Sequence, residues 1–280
     1  MKEPFELEWM GGPAEHYFHK VRSGVDELAW GTFDTKDYAP SLLDAARGLW
    51  TDLSISEYRA VASFTEVVRA LVEAKAPLDL IGMAGNFVAD EVLHVELASR
   101  MAMELGGGVL REIDLTRFAM RRDTRLTPLQ QANELVLKVC CVSEAYANGT
   151  VQGTYKAVAH PLVKSVYARI MRDEVHHHRL GGLYFEWAAE RCDDAEKQRL
   201  SAVLTRALEE LSVLWRRRPS KVTNGVTEEG WSVAQIRQLG WLESESMIPL
   251  AKEVVARDIL APMAALGLIV DDASKLRLLG

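Results

Sequence analysis

The chain has 280 residues, 48% of them apolar and 26% charged, an ordinary balance for a globular protein with a real core. Its formal net charge is −7 and its longest basic block is Arg216-Arg217-Arg218, which excludes a nucleic-acid binder. No apolar run approaches the ~18 residues of a membrane span, no basic-then-apolar leader opens the chain, and Cys140, Cys141 and Cys192 make no disulfide framework, so a reducing cytoplasm is the expected location.

Residues 1–39, with Gly11-Gly12-Pro13, read as irregular or short elements, and 41–50 as a short helix. From about residue 54 to about 218 the apolar spacing is helical. Helix A spans about 54–75, from Ser54 to a stop before Pro77. Helix B spans about 78–105 and stops at Gly106-Gly107-Gly108. Helix C, about 128–158, has Thr127 as its cap and Pro128 at its first position, with a bend expected near Gly149 or Gly153. Helix D, about 161–190, opens on Pro161. A fifth helix follows, then a loop at 219–230, then one or two more helices. No segment alternates long enough to demand a sheet. The expected division is an N-terminal extension with a short helix (1–53), a bundle (54–192) and a C-terminal helical extension (193–280).

The A–B and C–D connections are tight, so each pair is an antiparallel hairpin. The B–C connection, residues 106–127, can span roughly 60 Å at ~3.3 Å per residue. Helix B is only about 42 Å long, so helix C can begin at the far end of the bundle. The expected fold is therefore all-α: a ferritin-like four-helix bundle with a long B–C crossover, plus the two extensions.

Two short stretches carry the chemistry. "ADEVLH" contains Asp90-Glu91-x-x-His94, and "RDEVHHH" contains Asp173-Glu174-x-x-His177. Residues three apart share a helix face, so each Glu projects with its His. Counting back from the C–D turn near 159, Glu144 falls level with Glu174. From the A–B turn near 77, the level of Glu91 falls at 63–66, which selects Glu66; Glu57 faces the other way and Glu73 lies too close to the turn. One Glu from each of A and C and one Glu-x-x-His from each of B and D is the pattern of a carboxylate-bridged dinuclear site. Four buried carboxylates would be very unfavourable alone, and two divalent cations neutralise them. Imidazole with carboxylate suits iron or manganese. Asp90 and Asp173 each precede a ligand Glu and can accept the Nδ1–H of a histidine on a neighbouring helix, Asp90 from His177 and Asp173 from His94.

"DEVLH" and "DEVHH", with Glu66 and Glu144 in register, resemble the ferritin-like di-iron carboxylate superfamily over roughly residues 54–190. That group includes rubrerythrins, bacterioferritins, ribonucleotide reductase small subunits and di-iron oxygenases. The resemblance implies Glu66, Glu91, His94, Glu144, Glu174 and His177 as ligands of two iron ions, with Mn/Fe and Mn/Mn as alternatives.

The remaining candidates are weaker. His178 is a further ligand, a donor behind the ligands or a bystander, and the bystander reading is favoured. His176, His16, His19 and Glu96 read as surface residues, Arg69 as a flank charge, and Tyr146 as pointing away from the site. Phe87, Cys140, Cys141, Asn148, Ile170 and Met171, one turn from the ligands, are candidates for a mostly apolar substrate pocket. Three functions compete: an oxidase or oxygenase using O2 on a small organic substrate, a ferroxidase or iron-handling protein, and a metal-stabilised interaction module. The extensions, which can enclose a pocket, favour the first. No flavin, nicotinamide or iron–sulfur motif occurs, so a separate electron-donor protein is expected. A homodimer is allowed.

Overall fold

The computed structural model describes residues 2–120 and 122–280. Helix α1 (Gly12–Val21) follows Gly11 and buries none of its residues. Helix α2 runs unbroken from Pro40 to Glu73, about 51 Å at 1.5 Å per residue. The expected short helix at 41–50 and helix A are thus one rod. Ser54 does not cap anything: its hydroxyl donates to Val95 O on the next helix at 3.4 Å. Phe64, Val67, Ala70 and Leu71 form the buried stripe of α2.

Helix α3 (Leu78–Glu104) follows a turn in which Lys75 takes φ 55°. It is buried at every position from Leu93 to Ala98, as a rod packed on all sides must be. Gly106 and Gly107, at φ 106° and 112°, end it in the left-handed conformation. The crossover then returns along the molecule, where Glu112–Ile113 pairs antiparallel with Glu3–Pro4.

Helix C is three pieces. Helix α4 (Pro128–Val136) begins with a capping box between Thr127 and Gln130. A π-helical segment, Leu137–Ser143, follows, and α5 (Glu144–Ala157) completes the rod. The interruption therefore falls at 137–143 and not at Gly149 or Gly153. Helix α6 (Pro161–Ala188) closes the bundle, which is all-helical with a ferritin-like arrangement.

The C-terminal part adds α7 (Asp194–Leu211), α8 (Val233–Leu239), α9 (Ser244–Val254), a second π segment (Val255–Leu260), α10 (Ala261–Ala265) and α11 (Asp272–Leu279). A β-carbon on Gly149 would fall 2.6 Å from Val254 Cγ1, and one on Gly153 would fall 2.3 Å from Leu250 Cδ2. Those two glycines let α9 lie close on α5. On the other side, the Trp50 indole donates to Leu239 O at 2.9 Å and the Tyr167 hydroxyl to Gly240 O at 2.7 Å, which pins α8 to α2 and α6.

Among the described residues two large apolar clusters fill most of the interior, beside a small third one of Ile55, Ile113 and Phe118. The first holds Phe64, Phe87, Cys140 and Leu180, the second Trp50, Leu93, Leu97 and Ile170. Along α3 and α6 the charged signatures fall between them. No helix among the described residues is long and apolar enough to cross a membrane.

Candidate metal centre

At the junction of the two clusters, Glu91 and His94 project from α3, Glu174 and His177 from α6, Glu144 from the first turn of α5 and Glu57 from α2. Glu91, His94, Glu174 and His177 are at most 3% exposed, and Glu144 is 6%. Two sets of ligand atoms converge, each within 4.8 Å: Glu57, Glu91, His94 and Glu174, and Glu91, Glu144, Glu174 and His177. Glu91 and Glu174 belong to both. His94 Nδ1 lies 3.4 Å from Glu91 Oε2, 3.4 Å from Glu174 Oε1 and 4.0 Å from Glu57 Oε2. His177 Nδ1 lies 3.0 Å from Glu91 Oε1, 3.6 Å from Glu144 Oε2 and 3.8 Å from Glu174 Oε1. The two halves mirror each other, each with one imidazole, one private carboxylate and a share in two common ones.

The helix that leads to Glu144 explains its position. In the π segment the Glu144 N–H bonds to Val139 O, five residues back. The wider turn admits an extra residue, and Val139, Cys140, Cys141 and Val142 are all buried in succession. Glu144 enters the interior directly after this turn.

Glu66 is not part of the cluster. Its carboxylate is 2.6 Å from Arg69 NH2 and 3.8 Å from Arg122 Nε, at the bundle's flank. Glu57 stands where Glu66 was expected, for two reasons. Glu57 is 16 residues before the end of α2 at Glu73 (73 − 57), and His94 is 16 residues after the start of α3 at Leu78 (94 − 78), so the two are level. Glu57 is also in phase with buried Phe64, Val67 and Leu71 at helical spacing, whereas Glu66, nine residues on, faces the other side.

Behind each histidine stands an aspartate. His177 Nε2 is 3.4 Å from Asp90 Oδ2, and His94 Nε2 is 3.4 Å from Asp173 Oδ2. The nitrogen involved is Nε2 rather than the expected Nδ1, and this leaves both Nδ1 atoms facing the carboxylates. Each aspartate is held in turn by a guanidinium. Arg22 Nε is 2.7 Å from Asp90 Oδ1, and Arg169 contacts Asp173. Arg169 lies one helical turn before Asp173 and could have been found by i,i+4 spacing; Arg22 arrives from the N-terminal segment, and nothing local announces it.

Charge at the cluster is strained without a cation. Burial, joined by repulsion from Glu91, pushes the Glu57 carboxyl well above its ordinary range. Burial and the neighbouring carboxylates Glu144 and Glu91 do the same to Glu174, and burial raises Glu144. Glu91 is driven the other way, to about 2, because the adjacent His177 and His94 imidazoles outweigh its burial. His94 rises to about 9: burial opposes its charge, but Asp173 and Glu91 overcome it. His177 is raised likewise by Asp90, Glu144 and Glu91 against its burial.

The donor set fits a pair of cations. Both oxygens of Glu91, Glu174 Oε2 and the Nδ1 atoms of His94 and His177 are buried with no hydrogen-bond partner. Buried polar atoms in native proteins are ordinarily satisfied, and here the two Glu91 oxygens face the two Nδ1 atoms, with Glu174 Oε2 on a carboxylate whose other oxygen lies near both. Two divalent ions would satisfy them and cancel four carboxylate charges.

Other expected residues lie as follows. His178 is half-buried and its Nδ1 has no hydrogen-bond partner, but it is outside both converging sets. His176 and His16 are exposed. Glu96 is not a surface residue: it is 3% exposed, 3.1 Å from His19 Nε2 and 2.9 Å from Arg100 NH2, because α1 and the fully buried stretch of α3 enclose it. His19 is correspondingly half-buried. Tyr146 stacks on Trp215, with centroids 5.6 Å apart.

The six pocket candidates do not line one space. Phe87 packs its ring on His177 at 4.2 Å and lines a cavity of about 450 Å³ together with Asp90 and Asp173. Cys140 and Cys141 belong to the first apolar cluster and Ile170 to the second. Asn148 accepts from Gln152 at 3.2 Å, and Met171 is half-buried. Burial pushes the Cys141 thiol up to about 12 and the Cys140 thiol well above its usual range.

No protein-family profile matches the chain, and neither does any curated protein. Among solved structures it is similar to "Protein 19 with aldehyde deformylating oxidase activity" from Synechococcus, with a TM-score of 0.56 and 16% identity, over 86% of this chain and 97% of that one. At that identity the likeness establishes the fold: this chain has an all-helical, ferritin-like architecture.

Proposed function

We propose that this chain is a dinuclear-metal oxidoreductase, an oxidase or oxygenase that uses O2 on a small organic substrate, with two iron ions as the preferred pair. The observation that carries the reading is the sharing of Glu91 and Glu174 between two otherwise separate ligand sets. Glu57 and His94 would hold one ion, Glu144 and His177 the other, and Glu91 and Glu174 both. A bound pair of ferrous ions supplies electrons to dioxygen.

The chain's own residues then have defined tasks. Asp90 and Asp173 accept from Nε2 of His177 and His94, which fixes the tautomer that leaves Nδ1 unprotonated toward the ions. Phe64 and Phe87, whose rings stand 5.3 Å and 4.2 Å from the His177 ring, keep water from one side of the site. Cys140 and Cys141 stay neutral thiols and offer no competing thiolate. The oxidase activity carried in the name of the similar structure supports this class of reaction. A separate protein would deliver electrons.

The test is anaerobic Fe(II) loading followed by exposure to O2. One O2 consumed per protein, followed by arrest until a reductant is added, is the expected result. Continued O2 uptake with each further portion of Fe(II) and release of ferric product would assign the chain to iron oxidation. No O2 uptake by protein holding two Fe(II) would remove the enzymatic reading.

A further inference from the structure

On the outer side of the two Asp–His pairs lies the cavity of about 450 Å³. Val21, Met83 and Phe87 give it an apolar wall, while Arg22, Arg169 and Arg172 line it together with Asp90 and Asp173, Arg22 paired with Asp90 and Arg169 with Asp173. Three guanidiniums against two carboxylates leave a fixed charge of one positive (3 − 2).

The arginine donors are not exhausted. Arg22 Nε lies 2.7 Å from Asp90 Oδ1 without hydrogen-bond geometry, its Nη2 donates to Asn86 O and Oδ1 at 2.9 and 2.8 Å, and its Nη1 has only a 3.5 Å contact with the adjacent Val21 O. Arg169 is 8% exposed and gives NH1 to Asp173, and its Nε is buried with no hydrogen-bond partner. An unpaired N–H on a nearly buried cation is costly, so this guanidinium is short of acceptors. Arg172, its side chain 65% exposed and its Nε 3.9 Å from Asp173, stands at the rim one residue away from that pair.

The cavity is distinct from the carboxylate cluster. His177 turns Nε2 toward Asp90 on the cavity side and Nδ1 toward Glu91 on the other, and the Phe87 ring lies against it. Neither imidazole nor any carboxylate of the cluster lines the cavity, so a molecule in it meets Asp90, Asp173 and Phe87 and is not a ligand of the cluster.

We propose that this cavity binds an organic monocarboxylate with an apolar body. Its carboxylate pairs with the open donors of Arg169 and Arg172, a geometry the planar guanidinium favours. Its apolar part lies on Val21, Met83 and Phe87. The site stands whether or not the proposed redox chemistry does, since none of its contacts passes through a metal.

Calorimetric titration of the purified full-length chain with acetate, valerate and inorganic phosphate at constant ionic strength tests it. The expected result is saturable binding of one valerate, at least tenfold tighter than acetate and tighter than phosphate. Arg169→Lys and Arg172→Ala should each weaken valerate at least tenfold. Arg172 is exposed, so its variant should melt as the parent does, which separates lost binding from lost folding. Phosphate binding as tightly as valerate, valerate heats that never saturate, or parental affinity in Arg172→Ala would overturn the proposal.

Discussion

Asp90 and Asp173 each face two ways. One oxygen meets a histidine Nε2, and the same carboxylate meets an arginine, Arg22 in one case and Arg169 in the other. An aspartate so anchored can hold an imidazole in one tautomer and one ring orientation. Asp90→Asn and Asp173→Asn should therefore lower metal affinity roughly 10–100-fold, the usual cost of losing such a partner. Competition against a chromophoric chelator measures this; affinity equal to the parent would show that the aspartates do not orient the rings. At this scale the sequence spoke unevenly. Two Glu-x-x-His stretches place their side chains by spacing alone, because i and i+3 share a face. A count between the helix ends puts Glu57 level with His94 but cannot by itself select it, since a count fixes height and not direction. Its phase with Phe64, Val67 and Leu71 was the stronger signal. Arg22 was out of reach, being brought to Asp90 only by the fold of the N-terminal segment.

The elements that frame the centre depend on a few close approaches. Gly240 has φ 111°, and a β-carbon there would fall 2.7 Å from Trp50 Cζ2 and 3.1 Å from Val163 Cγ1. Trp50 is fully buried and has nowhere to move. Gly240→Ala combines a left-handed backbone penalty of ~1–2 kcal/mol with overpacking of ~1–3 kcal/mol. Denaturant unfolding should show a loss of roughly 2–5 kcal/mol; a loss under about 0.5 kcal/mol would mean that α8 is not held as described. Gly182, mid-helix in α6 with open space around it, makes the matched control, and Gly182→Ala should raise stability by ~0.5–1 kcal/mol. Helix existence was readable from apolar period, proline starts and glycine stops. The union of 41–50 with helix A was not, because Ser54 looks like a cap until Val95 O is seen beside it. The π segment has no sequence signature: Leu137–Ser143 is an unremarkable apolar run, and only the packing of Cys141 against Gly181 and the inward turn of Glu144 reveal it.

For the molecule as a whole, the cluster sets a pH dependence. Glu57, Glu144 and Glu174 have raised carboxyl pKa values, so the metal-free fold holds protons that the unfolded chain releases above its ordinary carboxylate range. His94, raised to about 9, likewise holds its proton longer than the unfolded chain does. In both cases the native state binds more protons, and stability must fall as pH rises. The His94 contribution is fully present below its unfolded pKa of ~6.5 and is lost as pH passes about 9. Melting temperature of the metal-free protein should therefore decrease from pH 6 to pH 9. Metal binding releases those protons and should flatten the profile. A metal-free protein that grows more stable over that range would contradict the electrostatics described here.

Metal stoichiometry in three proteins tests the central claim most directly. The parent chain, Glu57→Ala and Glu66→Ala would be loaded anaerobically with Fe(II), desalted and analysed for iron. Two equivalents in the parent and in Glu66→Ala, with one or fewer in Glu57→Ala, is the expected result. No retained iron in the parent, or loss in Glu66→Ala with two equivalents kept in Glu57→Ala, would contradict it.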